Sequence, residues 1–190
     1  MDESLRALLD RLYADGQEFD ARHADREARR RNLEPDAAAL LTLVARVGRA
    51  RDIVEIGTSN GYSTVWLADA AQATGGMLTT VDVASTAAAS ANVREAGLAT
   101  RVTFVTADGG EFLSRLADHS VDLLFLDANR PDYPGWWPHP RRVLRPGGVL
   151  AIDNVLSHPA EVASFLALLA EADATSMTVP VGKGLHLAVF

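Results

Sequence analysis

Hydrophobic positions follow two different spacings along this chain, and the two spacings alternate from about residue 52 onwards. Short runs of Val, Ile, Leu and Phe predict buried strands, whereas longer stretches with apolar residues three or four apart predict helices. Strands that are apolar on both faces and separated by helices indicate a parallel sheet covered on both sides. We predict strands at about 52–56, 78–82, 101–105, 121–126 and 148–152, and helices at about 60–73, 85–96, 109–117, 133–143 and 160–173.

The region before residue 33 has a helical pattern and many charges. Glu34-Pro35-Asp36 predicts the start of a second helix, because proline is favoured in a first helical turn. We predict one domain over residues 1–190, in which residues 1–31 form an N-terminal helical extension. The apolar stripe of its first helix consists of Leu5, Leu8, Leu9 and Leu12.

The C-terminal segments 177–181 and 185–190 predict an antiparallel hairpin, joined by Gly182-Lys183-Gly184. Together with the five earlier strands, the hairpin gives the predicted fold class. It is an α/β fold with a mostly parallel seven-stranded sheet, a C-terminal antiparallel hairpin and helices on both faces.

A glycine-containing turn follows the first predicted strand, in the stretch Val54-Glu-Ile-Gly-Thr-Ser-Asn-Gly-Tyr-Ser-Thr64. Gly57 and Gly61 indicate a backbone that bends sharply and lies close to another group. A helix begins just after the turn, so free backbone N–H groups point into the crevice at the strand's carboxyl end. The spacing G-x-x-x-G is not the dinucleotide fingerprint G-x-G-x-x-G, which disfavours a nucleotide-dependent dehydrogenase.

Polar residues follow later predicted strands. Asp82 ends the second strand, where a carboxylate accepts hydrogen bonds from two ribose hydroxyls in Rossmann-like folds; the alternative is a helix N-cap. Asp127 and the pair Asp153-Asn154 follow two strongly apolar strands, which right-handed crossovers would place side by side. Two carboxylates and an amide oxygen suit magnesium or a similar cation, unless the aspartates only cap the following loops.

The stretch from Glu55 to Ala68 resembles the first motif of the class I S-adenosylmethionine-dependent methyltransferases, and most of all the catechol and caffeoyl-CoA type O-methyltransferases. The resemblance implies a Rossmann-like methyltransferase fold and methyl transfer to a hydroxyl of a small, aromatic acceptor. It recurs in the family's order at Thr80-Val81-Asp82, Arg101-Val102-Thr103-Phe104, Phe125-Leu126-Asp127-Ala128, Leu144-Arg145-Pro146-Gly147-Gly148-Val149, Asp153-Asn154-Val155-Leu156 and Pro180-Val181-Gly182-Lys183-Gly184-Leu185.

The resemblance also implies roles for single residues. Asp108 would contact the adenine amino group, although it could equally cap the helix that begins at Gly109. Asp127, Asp153 and Asn154 would hold a divalent metal ion, Mg²⁺ or another, that binds the acceptor's hydroxyl pair. The positions implied for binding S-adenosylmethionine are Glu55, Gly57, Thr58, Ser59, Gly61, Tyr62, Ser63, Asp82, Val83, Asp108, Gly109 and Asp127.

Arg130 marks a departure from the family, whose usual run Asp-Ala-Asp-Lys carries a lysine thought to act as general base. Arginine keeps the positive charge but cannot be deprotonated in proteins. We therefore expect Asp127 and Arg130 to be the catalytic residues, with Arg130 stabilising an oxyanion. Lys183, the only lysine of the chain, and His158 are the alternative bases.

The loop after Asp153 is a second departure, because it is shorter than the family's acceptor-site loop and reaches a helix near Pro159 almost at once. Tyr133, Trp136 and Trp137 could form a stacking wall in its place. The alternative is that these aromatic side chains pack a helix against the sheet.

The composition narrows the function classes further. With 190 residues, of which 48% are hydrophobic, the chain can bury one core, and with no cysteine it has no disulfide or thiolate chemistry. The start Met1-Asp2-Glu3 does not resemble a signal peptide, and no apolar run approaches the ~20 residues of a membrane span, so we expect a cytoplasmic protein. A net charge of −7 argues against nucleic-acid binding.

One arginine cluster, interleaved with Asp25 and Glu27, indicates a solvated helix face rather than a basic binding patch. The cluster consists of Arg26, Arg29, Arg30 and Arg31.

These observations predict an S-adenosylmethionine-dependent O-methyltransferase assisted by a divalent cation. The alternatives are a metal-independent methyltransferase and a non-catalytic S-adenosylmethionine-binding protein. The expected partners are a small-molecule acceptor and a second copy of the chain, since members of the resembling family often dimerise. An N-terminal helix that packs on its own chain is the alternative to the homodimer, and neither nucleic acid nor a membrane is an expected partner.

Overall fold

Seven strands form one mixed sheet in the computed structural model, which describes residues 1–25 and 29–190. The strands are β1 (Asp52–Ile56), β2 (Met77–Asp82), β3 (Val102–Thr106), β4 (Val121–Leu126), β5 (Leu144–Ile152), β6 (Thr175–Val179) and β7 (Leu185–Val189). Their order in the sheet is β3-β2-β1-β4-β5-β7-β6. The first five strands run parallel, and β7 pairs antiparallel with β5 and β6, which confirms the predicted fold class.

Helices connect these strands, and the local sequence explains several helix ends. In the described part of the chain the α-helices are α1 (Glu3–Arg22), α2 (Pro35–Val47), α3 (Tyr62–Thr74), α4 (Ala87–Glu95), α5 (Gly109–Arg115), α6 (His139–Val143) and α7 (Pro159–Glu171). Asp2 caps α1 by accepting the Leu5 N–H, and Gly75 ends α3 with a left-handed φ of 73°. None of these helices is long and apolar enough to cross a bilayer.

The sheet is covered by an apolar layer on each face. Ile53 of β1 belongs to the layer that α1, α2 and α3 complete, whereas Val54 belongs to the opposite layer, with Phe165 of α7. Successive side chains of a strand point to opposite faces, so a strand buried on both sides is predominantly apolar. This is why β1 and β4 were visible as apolar runs.

The apolar stripe of α1 is buried within the single chain. Leu5, Leu8, Leu9 and Leu12 are each at most 8% exposed and belong to the layer beside α3. Tyr13 also packs against Tyr62 of α3, with ring centroids 5.6 Å apart. The helix thus packs on its own chain, and its leucines supply no free surface for the expected homodimer.

The region 133–143 differs most from the prediction. Residues Arg130–Trp136 form a 3-10 helix, and the short helix α6 begins only at His139. Three prolines, Pro134, Pro138 and Pro140, interrupt the region; proline has no N–H to donate and its ring obstructs the preceding turn. The apolar spacing predicted one helix over residues 133–143, but the prolines divide this region into a 3-10 helix and the short helix α6.

After β1 the chain adds strands toward one edge of the sheet, and after β4 it adds strands toward the other edge. The chain runs from β1 outward to β2 and β3, and then returns across the sheet to β4 and β5. Such a switch in strand order opens a crevice at the carboxyl ends of the two central strands. The predicted site residues follow these strand ends.

Candidate active site

A cavity of about 560 Å³ opens at the carboxyl ends of β1 and β4. One part of its wall, here called the glycine-loop half, comes from the loops that follow β1, β2 and β3. The other part, here called the carboxylate half, comes from the loop after β4 together with Asn154, His158 and Lys183. The segment 29–33, which precedes α2, borders the same cavity.

Gly57 joins the two halves. Its φ of +109° lies in the region that favours glycine, and a Cβ at this position would collide with the carbonyl oxygen of Asp127. The Gly57 N–H donates to the Val81 carbonyl at 2.8 Å, and the Asp127 N–H donates to the Ile56 carbonyl at 2.9 Å. The turn after β1 is therefore fixed to β2 on one side and to the end of β4 on the other.

Asp82 fastens the glycine loop from the neighbouring strand. Its Oδ2 accepts the N–H groups of Thr58 and Ser59, both at 2.9 Å, and its Oδ1 accepts the Ala84 N–H at 2.9 Å. The next helix has its N-cap at Thr86, so the N-cap alternative for Asp82 is wrong. Asp82 borders the cavity and its Oδ1 accepts only one hydrogen bond within the described residues, which leaves this oxygen able to accept a ligand hydroxyl.

Glu55 lies behind this loop rather than in the cavity, which corrects its predicted place among the direct cofactor contacts. Its side chain is fully buried and accepts hydrogen bonds from the hydroxyls of Ser63 (2.6 Å), Thr64 (2.6 Å) and Thr80 (2.7 Å). Burial raises the pKa of Glu55 to about 7, although the three hydroxyls oppose this shift. The carboxyl group therefore holds the first turn of α3 against the sheet.

Gly61 also does not line the cavity. Its φ is +86°, and a Cβ there would lie 2.8 Å from the Cα of Ala89 in α4. Glycine is required at this position because α4 packs directly against the loop. The other residues predicted for cofactor binding do border the cavity: Gly57, Thr58, Ser59, Tyr62, Ser63, Asp82, Val83, Asp108, Gly109 and Asp127.

Asp108 caps α5, since its Oδ1 accepts the Glu111 N–H at 2.9 Å. The capping alternative is thus confirmed, and the adenine contact stays a prediction compatible with it. Asn60 and Trp136 border the cavity as well and were not predicted as cofactor contacts. Asn60 lies inside the glycine loop, where the sequence already pointed to the backbone but not to this side chain.

Asp127, Asp153 and Asn154 come together in the carboxylate half, as predicted. The Asn154 amide nitrogen donates to Asp153 Oδ2 at 2.7 Å and lies 3.3 Å from Asp127 Oδ1. Asn154 has a φ of 67°, a left-handed conformation that asparagine adopts more readily than most residues. Asp127 and Asn154 border the cavity, whereas Asp153 is only 2% exposed and lies behind them.

Both carboxyl groups have raised pKa values. Burial is the largest cause for both, and for Asp127 the charges of Asp153 and Glu55 add to it, while Arg31 and Arg130 act in the opposite direction. Asp153 Oδ1 is buried without a hydrogen-bond partner in the described part of the chain. Because an unpartnered buried carboxylate oxygen is costly, this pair favours a proton or a cation.

Arg130 borders the carboxylate half but is held by another residue. Its Nε and Nη2 lie 2.8 Å and 2.7 Å from Glu161 Oε2, and the residue is only 5% exposed. This pairing fixes the guanidinium at the cavity wall, where its positive charge acts on Asp127. The predicted catalytic role of Arg130 stays a prediction.

Lys183 and His158, the two alternative bases, both border the cavity. The Lys183 ammonium pairs with Glu34 Oε1 at 2.7 Å, and the Lys183 carbonyl accepts the N–H groups of Leu156 and Ser157. The hairpin turn is thereby tied to the loop that carries Asn154. His158 Nδ1 lies 2.8 Å from the Ser157 hydroxyl.

Only one of the three aromatic residues fits the predicted stacking wall. Trp136 borders the cavity. Tyr133 is fully buried, with its hydroxyl accepting the Ala128 N–H at 2.8 Å, and Trp137 packs edge-on against Phe165 with centroids 6.2 Å apart. Tyr133 and Trp137 therefore agree with the alternative, in which these aromatic side chains serve packing and do not line the acceptor site.

The segment 29–33 corrects the prediction of a solvated helix face. Arg29, Arg30 and Arg31 are not helical and border the cavity, while Arg26 and Glu27 lie outside the described residues. Local charge spacing is the same for a solvated face and for a segment that borders a site.

The fold and the cavity define the class of this protein. The mostly parallel sheet has a switch in strand order, a glycine turn leads from β1 into α3, and an aspartate ends β2. This combination is typical of a class I S-adenosylmethionine-dependent methyltransferase. Residues 54–155 match a family model described as a methyltransferase domain. The chain belongs to the S-adenosylmethionine-dependent O-methyltransferases, as the resemblance implied.

Three individual proteins illustrate this membership. A protein of Mycobacterium sp. (strain JLS) that is assigned as an O-methyltransferase is 34% identical over 172 residues, which cover 82% of this chain and 78% of that protein. The catechol O-methyltransferase of Niastella koreensis is 33% identical over 129 residues, 66% of this chain, and the chain spans only 58% of that relative. The structure of TomG from Streptomyces achromogenes in complex with SAM has a TM-score of 0.74 and 30% identity, covering 100% of this chain and 90% of TomG.

Proposed function

We propose that this protein methylates one hydroxyl of a small aromatic diol of the catechol type, with a divalent metal ion such as Mg²⁺ held in the carboxylate half. The observation that carries the proposal is the pair Asp127 and Asp153, whose raised pKa values and unpartnered Asp153 oxygen favour a cation at the edge of the cavity. The catechol O-methyltransferase of Niastella koreensis supports the acceptor class.

The donor set fits Mg²⁺, which prefers oxygen ligands and keeps several waters. Asp127 and Asp153 would supply carboxylate oxygens. A 180° rotation of the Asn154 amide group would turn its oxygen, in place of its nitrogen, toward these carboxylates. Within residues 1–25 and 29–190 no three His, Cys, Asp or Glu side chains converge, so the amide and water have to complete the set. When bound, such an ion lowers the pKa of a coordinated hydroxyl and orients its oxygen.

S-adenosylmethionine supplies the methyl group, which passes to the acceptor oxygen as its bond to sulfur breaks and a carbon–oxygen bond forms. The glycine loop and Asp82 hold the nucleoside in the first half of the cavity. The Arg130 guanidinium cannot accept the acceptor's proton, so it stabilises negative charge on the oxygen. The proton leaves to solvent or to His158, which borders the cavity beside Asn154.

A metal-independent O-methyltransferase is the second candidate. The observation that favours it is the Asn154 amide group, which reaches both carboxylates and so replaces part of what a cation would do. A non-catalytic S-adenosylmethionine-binding protein is the third, and it would share the glycine-loop half unchanged.

The test combines a thermal-shift measurement with an activity assay. S-adenosylhomocysteine should raise the unfolding midpoint by mass action, and MgCl₂ should raise it further in the parent protein but not in Asp153→Ala. Methylation of catechol should stop in excess EDTA and return with Mg²⁺. Full activity in EDTA would support the metal-independent candidate, and S-adenosylhomocysteine binding without turnover on a catechol panel would support the non-catalytic one.

The homodimer remains a proposal of its own. Light scattering at micromolar concentration should give about twice the chain mass of 20.3 kDa. A mass near 20.3 kDa would contradict the dimer and would agree with the burial of the α1 leucines inside one chain.

A further inference from the structure

Three consecutive arginines border the cavity in the segment 29–33, although neither the glycine-loop half nor the carboxylate half requires them. The backbone of this segment is held from two sides. Asp20 of α1 accepts the N–H groups of Arg30 at 2.6 Å and Arg31 at 2.9 Å, and the Ser59 hydroxyl donates to the Arg30 carbonyl at 3.0 Å. The segment is thereby fixed between α1 and the glycine loop.

Arg31 has a strained backbone within this fixed segment. Its φ is 49°, in the left-handed region that long side chains rarely adopt. Such a conformation persists only when its surroundings determine it, and here the Asp20 carboxylate and the Ser59 hydroxyl do so. These hydrogen bonds thus keep Arg31 at the cavity edge.

The guanidinium groups of the three arginines differ in their partners. The Arg30 guanidinium stacks on the Phe19 ring, 4.3 Å from its centroid, and the Arg29 Nε donates to the His23 carbonyl at 2.8 Å. The Arg31 guanidinium makes no hydrogen bond or ion pair with any residue in the ranges 1–25 and 29–190. Arg31 is therefore the member of the segment that is available to a ligand.

The other described cations at the cavity wall are already paired. Arg130 is held by Glu161 and Lys183 by Glu34. Arg31 and Asp127 border the same cavity, and the positive charge of Arg31 acts on Asp127. In a protein with a net charge of −7, an uncompensated cation at this position would attract anions that the remaining surface repels.

We propose that Arg31 binds an anionic group, a carboxylate or a phosphate, carried by the methyl acceptor. The inference rests on the proposed function, because it extends the catechol-type acceptor by one charged substituent. A guanidinium presents paired N–H donors that match both anions, and charge-assisted hydrogen bonds are about twice as strong as neutral ones.

The test compares three acceptors of the same ring: 3,4-dihydroxybenzoate, 3,4-dihydroxybenzyl phosphate and the neutral methyl 3,4-dihydroxybenzoate. The parent protein should show a higher kcat/KM for one or both anions than for the ester, about tenfold or more, and this preference should shrink in high salt. Arg31→Gln should reduce the preference about tenfold or more, mainly through KM, while Arg31→Lys should retain part of it. The carboxylate and phosphate arms identify which anion the site prefers.

Arg49→Gln is the matched control. Arg49 is also exposed and also left-handed, with a φ of 53°, but it lies at the end of α2 and does not border the cavity. Its replacement should leave the preference unchanged. An equal loss for the anionic and the neutral acceptors in Arg31→Gln, or no loss, would overturn the proposal.

Calorimetry with S-adenosylhomocysteine distinguishes an acceptor-binding role of Arg31 from a cofactor-binding role, and a failure of this inference from a failure of the proposed function. If Arg31→Gln weakens S-adenosylhomocysteine binding as much as it weakens anion binding, Arg31 serves the amino-acid tail of the cofactor and the proposal is wrong. If the parent methylates none of the three acceptors, the proposed function fails, and titrating the S-adenosylhomocysteine complex with the benzoate and the ester still decides the anion site. Tighter benzoate binding that Arg31→Gln removes supports the site, and equal binding of both probes overturns it.

Discussion

The glycine-loop half and the carboxylate half meet at Gly57, yet they stabilise their acidic side chains in different ways. In the glycine-loop half, Glu55 has three hydroxyl donors and Asp82 has three backbone N–H donors. In the carboxylate half, Asp127 and Asp153 share one amide group, and Asp153 keeps an unpartnered oxygen. In the first half the chain itself supplies the hydrogen-bond donors to the acidic groups. In the second half the carboxylate pair favours a proton or a cation that the chain does not supply.

The two departures from the family's sequence pattern both fall in the carboxylate half, although that half also contains family-like segments around Asp127 and Asp153. The glycine turn and Asp82 belong to the segments that resemble the family. Arg130 and the short loop after Asp153 are departures, and both border the carboxylate half.

The largest effect should come from the residue that joins the two halves. Gly57→Ala would place a Cβ on the Asp127 carbonyl oxygen at a φ of +109°, so we expect a loss of more than about 4 kcal/mol in the free energy of unfolding, or no folded protein. Gly147→Ala is the control: its φ is +79°, but nothing lies within 4 Å of the added Cβ, so about 1–2 kcal/mol of strain is expected. Urea denaturation measures both. Equal effects would mean that backbone strain, and not contact between the halves, makes Gly57 necessary.

In the carboxylate half, Arg130→Ala should lower kcat about 10²- to 10³-fold, because it removes a positive charge from the developing oxyanion and breaks the ion pair between Arg130 and Glu161. Arg130→Lys keeps a charge and adds an amine that can be deprotonated, so it should retain more activity on catechol. Single-turnover assays with saturating S-adenosylmethionine measure both. Parent-like turnover by Arg130→Ala would make Arg130 a packing residue and direct the search for the base to Lys183 or His158.

In the glycine-loop half, Glu55 should make stability depend on pH. Its pKa is raised from 4.5 to about 7, so between these values the folded protein keeps a proton that the unfolded chain has lost. The free energy of unfolding should therefore fall as pH rises from about 4.5 to about 7, by about 3 kcal/mol from this group, and then level off.

Glu55→Gln removes this contribution together with the effect of the Glu55 charge on Asp127, while Asp127 and Asp153, whose pKa values shift in the same direction, remain in the variant. The difference in unfolding free energy between parent and variant should change by about 3 kcal/mol between pH 4.5 and pH 7. A difference that does not vary with pH would show that the three hydroxyls stabilise the ionised form of Glu55 fully.

The smallest of these effects should come from Asp82→Ala, which we expect to weaken S-adenosylhomocysteine binding by about 1–3 kcal/mol, because three backbone N–H groups lose their acceptor and the ligand loses one as well. Calorimetry measures the affinity. Asp108→Ala, which removes one capping bond, should cost about 1 kcal/mol or less in affinity. Unchanged affinity in Asp82→Ala would remove Asp82 from the predicted ribose role.

The sequence by itself determined the order of strands and helices, the glycine turn and the meeting of Asp127 with Asp153 and Asn154. These features are local or follow from few rules. Apolar spacing fixes an element's type, and parallel strands with right-handed crossovers bring their carboxyl ends to one edge. The error at residues 133–143 was also local, since the prolines that divide the helix were visible.

Tertiary structure alone decided which polar residues face the cavity. Glu55 lies behind the glycine loop because hydroxyls of Ser63 and Thr64 on α3 and of Thr80 on β2 converge on it. Arg31 borders the cavity because Asp20, 11 residues earlier, holds its backbone. A charged side chain has the same local pattern whether it is solvated or borders a site, and only contacts between distant segments distinguish the two.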